Sequence, residues 1–126
     1  MERVYFTEHK GRRILVLDLS ELSAEATPPI LQELEGVVAQ QPLAKNLLLL
    51  VNVRRNIFNP ATVEEMKRVS KANEPRVLAT AMVGMSKLGS IVARQVYRSA
   101  GRTYEAFDAE DQAKDWLAAQ QPAKKA

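Results

Sequence analysis

The stretch VLATAMVGMSKLGSIVARQVYRSAGRTYEAFDAEDQAKDWL, Val77 to Leu117, decides the fold class. An apolar strand breaks at Gly84, a helix follows and ends at Gly101, and a short strand leads to Asp108 and a last helix. A strand that returns through a helix to lie parallel to its predecessor needs a crossover of roughly a dozen residues or more, which Met85 to Arg102 supplies. The unit is therefore strand, helix, strand, helix. Ser86 is placed to cap the crossover helix, Gly101 to supply the left-handed residue after it, and Asp108 with Asp111 to form a capping box on the last helix.

Within the crossover helix the expected inward stripe is Leu88, Ile91, Val92, Gln95, Val96 and Ser99. At about 100° per residue, Tyr97 then projects almost opposite, with Ser90, Ala93 and Ala100 near it and Lys87, Arg94 and Arg98 along one flank. An outward tyrosine among small residues resembles an interface anchor. Ser90, Ala93, Arg94, Tyr97 and Arg98 are accordingly the expected contact face, for a second copy of the chain or for a different protein.

Upstream, Val4 to Thr7 and Ile14 to Leu17 are β-prone runs separated by His9, Lys10, Gly11 and Arg12, the pattern of a hairpin. Pro28 and Pro29 open a helix that runs to about Gln41, with Ile30, Leu31, Leu34, Val37 and Val38 on one stripe. Leu47 to Val53 is apolar except for Asn52, as in a strand buried on both faces. Asn59 as N-cap, Pro60 at the first helical position and Glu64 and Glu65 near the dipole's positive end mark the next helix. Its inward stripe is Val63, Met66, Val69 and Ser70, Glu64 is placed to pair with Arg68, and Pro75 stops it. Arg76 to Val83 and Thr103 to Phe107 are the remaining strands. The expected architecture is a single α/β domain over residues 1–120, a mixed sheet of about five strands with an N-terminal hairpin alternating with about four helices, followed by a frayed tail at 121–126.

The chain has 126 residues, no Cys, one His and a net charge of +3. Absence of Cys excludes disulfides and thiolate metal sites and fits a reducing compartment. The N-terminus lacks a basic region followed by a long apolar run, and no stretch approaches the ~20 apolar residues of a membrane span, so the expected location is the cytoplasm. Charge is unevenly spread: Arg54 to Arg102 holds ten Lys or Arg and three acids, which favours an anionic or acidic partner. Exposed aromatics that would stack on single strands are not interleaved with these charges, which argues against nucleic acid.

In open α/β sheets, ligands and partners use the loops beyond the carboxyl ends of parallel strands, where helix N-termini converge. This selects Arg54, Arg55, Asn59, Ser86 and Lys87 as the candidate partner or anion rim. Gly84-Met-Ser-Lys-Leu-Gly89 lacks the spacing of a phosphate loop. His9, the sole histidine, lies at a hairpin turn, unsuited to the base of a catalytic triad. Asp18, Glu21 and Glu25 do not have calcium-loop spacing. No catalytic residue, cofactor or metal site is expected. Met66, Met82 and Met85 either fill the core or line an apolar pocket.

The order of elements, with Leu47-Leu-Leu-Leu-Val-Asn-Val, Ala81-Met-Val-Gly-Met-Ser, Gly101-Arg, and Phe107-Asp108 followed by Ala113-Lys-Asp-Trp-Leu, resembles the STAS-type proteins related to SpoIIAA, the anti-sigma-factor antagonists. That branch shares its broad fold with SEC14-type lipid-binding domains. The resemblance covers nearly the whole chain and implies a non-enzymatic regulatory module that binds a protein partner. In the antagonists an Asp-Ser-Ser-Gly segment after the central strand carries the phosphorylated serine. Here the matching segment is Asn59-Pro60-Ala61-Thr62, which leaves Thr62 as the nearby hydroxyl and argues against the usual phospho-serine switch. The alternative is a carrier or sensor of a small apolar or anionic ligand with a SEC14-like pocket. The first reading implies a filled core, the second a cavity beneath the helices.

Overall fold

The computed structural model describes residues 2–122. The elements are β1 (Val4–His9), β2 (Arg12–Asp18), α1 (Thr27–Ala39), β3 (Leu47–Asn52), α2 (Pro60–Asn73), β4 (Val77–Val83), α3 (Lys87–Ser99), β5 (Glu105–Phe107) and α4 (Glu110–Ala118). One sheet holds the strands in sequence order; β1 and β2 pair antiparallel, and every other neighbouring pair is parallel. Of the expected tail, Gln121 and Pro122 are exposed and residues 123–126 lie outside the described residues.

β3 is the strand that the apolar run promised. Leu49 and Val51 face a core closed by Leu31, Leu34 and Val38 of α1, Val69 of α2 and Val96 of α3. Leu48 and Leu50 face the other way, toward Ala113 and Leu117 of α4. Three helices thus cover one face of the sheet and one short helix the other.

The helix starts at Asn59 and Ser86 form as the sequence indicates: Asn59 Oδ1 accepts from the Thr62 amide at 2.8 Å, and Ser86 Oγ from the Gly89 amide at 3.0 Å. α3 ends on Gly101 with φ of +67°, and the Gly101 and Arg102 amides donate back to the Arg98 and Tyr97 carbonyls. This closure satisfies carbonyls that the helix end leaves free and sends the Arg102 side chain back beneath the helix. α4 differs from expectation. It begins one residue later, on Ala109 without a side-chain cap, and the Asp108 carbonyl instead accepts from Arg54. Arg68 also differs, pairing with Glu65 on its own helix and with Glu35 across on α1, while Glu64 lies near Lys67.

The face that α3 turns inward is a correction to the sequence reading. Ala93, Val96, Tyr97 and Ala100 are buried, whereas Leu88 and Ile91 are exposed. The helix is rotated by about one residue, or ~100°, from the stripe its aliphatic residues suggested. Size explains the choice. Small side chains at Gly89, Ala93 and Ala100 leave room for the Tyr97 ring, which packs edge-on against Tyr104 with centroids 5.0 Å apart and lies 5.0 Å from the Arg102 guanidinium carbon. A tyrosine ring removes more surface from water than a single aliphatic side chain, and Val92 and Val96 serve either rotation.

Gly84 carries the tightest backbone constraint at the sheet's carboxyl edge. Its φ is +82°, and a Cβ added there would stand 2.9 Å from Arg54 Cβ. Gly36, in mid-α1, has nothing within 4 Å of such an atom. Gly84→Ala should therefore lower unfolding stability by at least about 2 kcal/mol, from left-handed strain plus the clash, while Gly36→Ala should raise it by about 0.5–1 kcal/mol. Urea denaturation of the two variants checks both signs; equal effects would remove the Gly84–Arg54 approach as a constraint.

Candidate functional site

The loops after β2, β3, β4 and β5 meet at one edge and are stitched together by their own polar groups. Asn52 Oδ1 accepts from the Arg54 amide at 3.0 Å, and the Arg54 carbonyl accepts from the Glu21 amide at 2.9 Å. The Arg54 guanidinium reaches the Asp108 carbonyl at 3.2 Å. Asn56 donates from Nδ2 to the Leu19 and Leu22 carbonyls and to Thr27 Oγ1. The sequence pattern alone gives no signal for this tie.

Arg54, Arg55, Asn59, Ser86 and Lys87 all lie on this edge, but in different roles. Asn59 and Ser86 spend their side chains on capping. Arg55 adopts φ of +57° and faces Glu21 at 3.6 Å. Among the described residues, Arg54, Lys87, Arg94 and Arg98 have no carboxylate partner within ion-pair distance. The acidic cluster is dispersed, with Asp18 turned to Arg3 and Glu21 to Arg55. His9 is not free at its turn. Its Nε2 lies 2.7 Å from Asp115 Oδ1, and the hydrogen bond from His9, with Lys10 beside it, holds the Asp115 carboxyl below its usual range.

Thr62 is 1% exposed, and its hydroxyl donates to Asn59 Oδ1 and to the Ala24 carbonyl. In this fold the Thr62 hydroxyl is turned away from solvent. The α3 rotation likewise changes the candidate interface. Tyr97 is 7% exposed and Ala93 is also buried, so neither can anchor a partner, while Arg94 and Arg98 remain exposed. The outward face instead presents Leu88, 62% exposed, and Ile91, 52% exposed, with Ile57, 62% exposed, on the loop after β3.

Between the sheet and helices α2 and α3 lies a cavity of about 90 Å³. Its middle is apolar, with Leu49, Met66, Met82 and Val92 among its walls. Phe58 and Met85 mark the rim end, so all three methionines singled out from the sequence line it. Ser70, Asn73, Tyr97 and Arg102 line the opposite end. There Arg102 donates to the Ser70 carbonyl at 3.0 Å and to Thr80 Oγ1 at 2.8 Å. Asn73 is 2% exposed and its Nδ2 has no hydrogen-bond partner. Asn73 and Arg102 were missed from sequence. The available signals were an asparagine one turn beyond the Val69 stripe and an arginine just after the helix-ending glycine.

No family model matches the chain, and no curated protein matches it. A solved structure does. An uncharacterised protein of the DUF3478 family from Shewanella loihica PV-4, described as having a SpoIIAA-like fold, superposes with a TM-score of 0.70 at 14% identity, over 90% of this chain and 91% of that one. The chain has a SpoIIAA-like fold. The mixed sheet, hairpin and four helices agree with it. No helix among the described residues is long and apolar enough to cross a membrane.

Burial raises the Tyr97 phenol above its ordinary value of 10.0, and nearby Arg102, Ser70 and Thr80 oppose that rise only in part. A phenol whose folded value lies above its unfolded value contributes stability fully below the unfolded value, and that contribution fades as pH rises through the folded one. Wild-type stability should therefore fall as pH climbs above about 10, and Tyr97→Phe should flatten that decline. Denaturation midpoints measured across the alkaline range check this; superimposable profiles would mean that Tyr97 is not the group that titrates late.

Proposed function

We propose that the protein is a non-enzymatic regulatory module that binds a protein partner through the carboxyl edge of the sheet and the outer face of α3. One observation carries the reading: Leu88 and Ile91 stand exposed one turn apart on α3, among Lys87, Arg94 and Arg98, which have no carboxylate partners among the described residues. Apolar side chains ringed by one sign of charge fit a partner whose contact surface is apolar at its centre and acidic at its margin. A second copy would set these cations against each other, so a different protein is the better occupant. The SpoIIAA-like fold supports a regulatory role by analogy.

A second reading, a sensor or carrier of a small ligand, is favoured by the cavity beneath α2 and α3. Its volume is below the ~300–1,000 Å³ of drug-sized sites, which suits a very small ligand.

The surface reading is tested by capture from a lysate of the source cell with wild type, Arg54→Glu/Arg55→Glu and Leu88→Ser/Ile91→Ser. The wild type should retain a protein that both variants lose, and moderate salt should weaken retention by slowing encounter. An identical captured set from all three proteins, insensitive to salt, would overturn the assignment of this face. Assays with ester, phosphoester and nucleotide substrates should show no turnover. Activity abolished by Ser86→Ala or His9→Ala would overturn the non-enzymatic part.

A further inference from the structure

The inner end of the cavity is polar in a way that packing alone does not require. Asn73 sits at the last turn of α2 with its side chain buried and Nδ2 unpartnered. A buried donor without an acceptor keeps the full cost of its desolvation, and a leucine of similar size would avoid that loss. Arg102, aimed back beneath α3 by the Gly101 closure, has two N–H groups committed to Ser70 and Thr80, which leaves further donors on its fork. No carboxylate among the described residues neutralises it. Arg102 also lines a more polar depression behind the cavity, but Glu74, which lines that depression too, is paired with Lys45. The Tyr97 ring forms the adjoining wall.

We propose that this cavity binds a small monocarboxylic acid. Its carboxylate lies at the inner end against Asn73 Nδ2 and the Arg102 guanidinium, and its short apolar chain runs along Val69, Met82 and Val96 toward Phe58 and Met85. This deepens the ligand-sensor reading by naming the ligand's chemistry. One guanidinium balances one negative charge, and its planar fork matches a carboxylate. A phosphate dianion would be left half-compensated in a largely apolar chamber. At ~30 Å³ for a group the size of water, the cavity holds about three such groups, so an acid of about four carbons fills it and one of about six extends its tail to the open rim at Phe58 and Met85.

The test titrates hexanoate and 1-hexanol into the purified chain, followed by calorimetry and by amide chemical shifts. Hexanoate should perturb Ser70, Asn73, Tyr97 and Arg102 and bind at least tenfold more tightly than the alcohol. Asn73→Leu should melt no lower than wild type, lose about tenfold in hexanoate affinity and keep its affinity for 1-hexanol. Arg102→Gln should show the same loss, with the Asn73 variant guarding against any loss of fold. Equal affinities for acid and alcohol, or undiminished hexanoate binding by Asn73→Leu, would overturn the carboxylate assignment while leaving an apolar pocket. If neither compound perturbs the cavity residues, the ligand-sensor reading itself fails.

Discussion

Strand β3 is apolar on both faces, and the rest of the molecule follows from having to cover both. Leu48, Leu49, Leu50 and Val51 are all buried, and each fully buried aliphatic side chain contributes about 1.5–3 kcal/mol relative to exposure. Neighbours on both edges are required as well, because a central strand's backbone groups must be paired. The cover is lopsided. α1, α2 and α3 close over one face, while nine-residue α4 closes the other with help from Phe107 and Trp116, whose rings lie 5.8 Å apart. On the three-helix face α1 and α2 are bridged at the surface by the Arg68–Glu35 pair, and the incompletely filled volume falls between α2 and α3.

That arrangement also builds the edge where the loops meet. Each parallel crossover delivers a loop and a helix start to the carboxyl end of the sheet, and Asn52, Arg54 and Asn56 bind those loops to one another. Backbone groups that would otherwise need water find partners within the edge, so its exposed side chains project from a fixed frame. Arg54 has a double role there: its backbone and part of its guanidinium belong to the frame, while its charge belongs to the surface. Ile57, Leu88 and Ile91 project from the same frame because nothing among the described residues covers them.

Much of this was legible in the sequence wherever one residue type answers one local need. Asn59 and Ser86 cap because a free amide lies within reach of a short side chain, Gly101 closes α3 because its φ is positive, and Leu47 to Val53 could only be a central strand. Choices that depend on what lies opposite were not legible. α3 carries enough apolar residues for two faces, and only the room left by β4, α2 and Tyr104 decides that Tyr97 rather than Leu88 goes inside. Asp108 reads as a cap until Arg54 from a distant loop is seen to hold its carbonyl. Arg68 has an acid at the expected spacing, yet Glu65 and Glu35 offer better geometry. In the candidate site, the rim cations could be named because topology alone puts them there, whereas Asn73 and Arg102 meet only through the packing of α2 against α3.

α3 is at once the wall of the cavity and the bearer of the exposed face, so ligand binding and partner binding are not rival uses of the fold. Val92 and Val96 look inward while Leu88, Ile91, Arg94 and Arg98 look out from the same rigid element. A ligand beneath the helix can alter the outer face only if it binds one position of α3 more tightly than another, and the size of that preference sets the limit of any coupling. The contacts that hold α3 in place at its C-terminal end are those that line the inner end of the cavity: the Arg102 amide on the Tyr97 carbonyl, and the Arg102 guanidinium on Ser70 and Thr80. A carboxylate that recruits Arg102 therefore acts on the tether between α3, α2 and β4 rather than on a passive wall. Any coupling to the outer face runs through that arginine, whereas an apolar ligand that merely fills the chamber leaves the tether as it is.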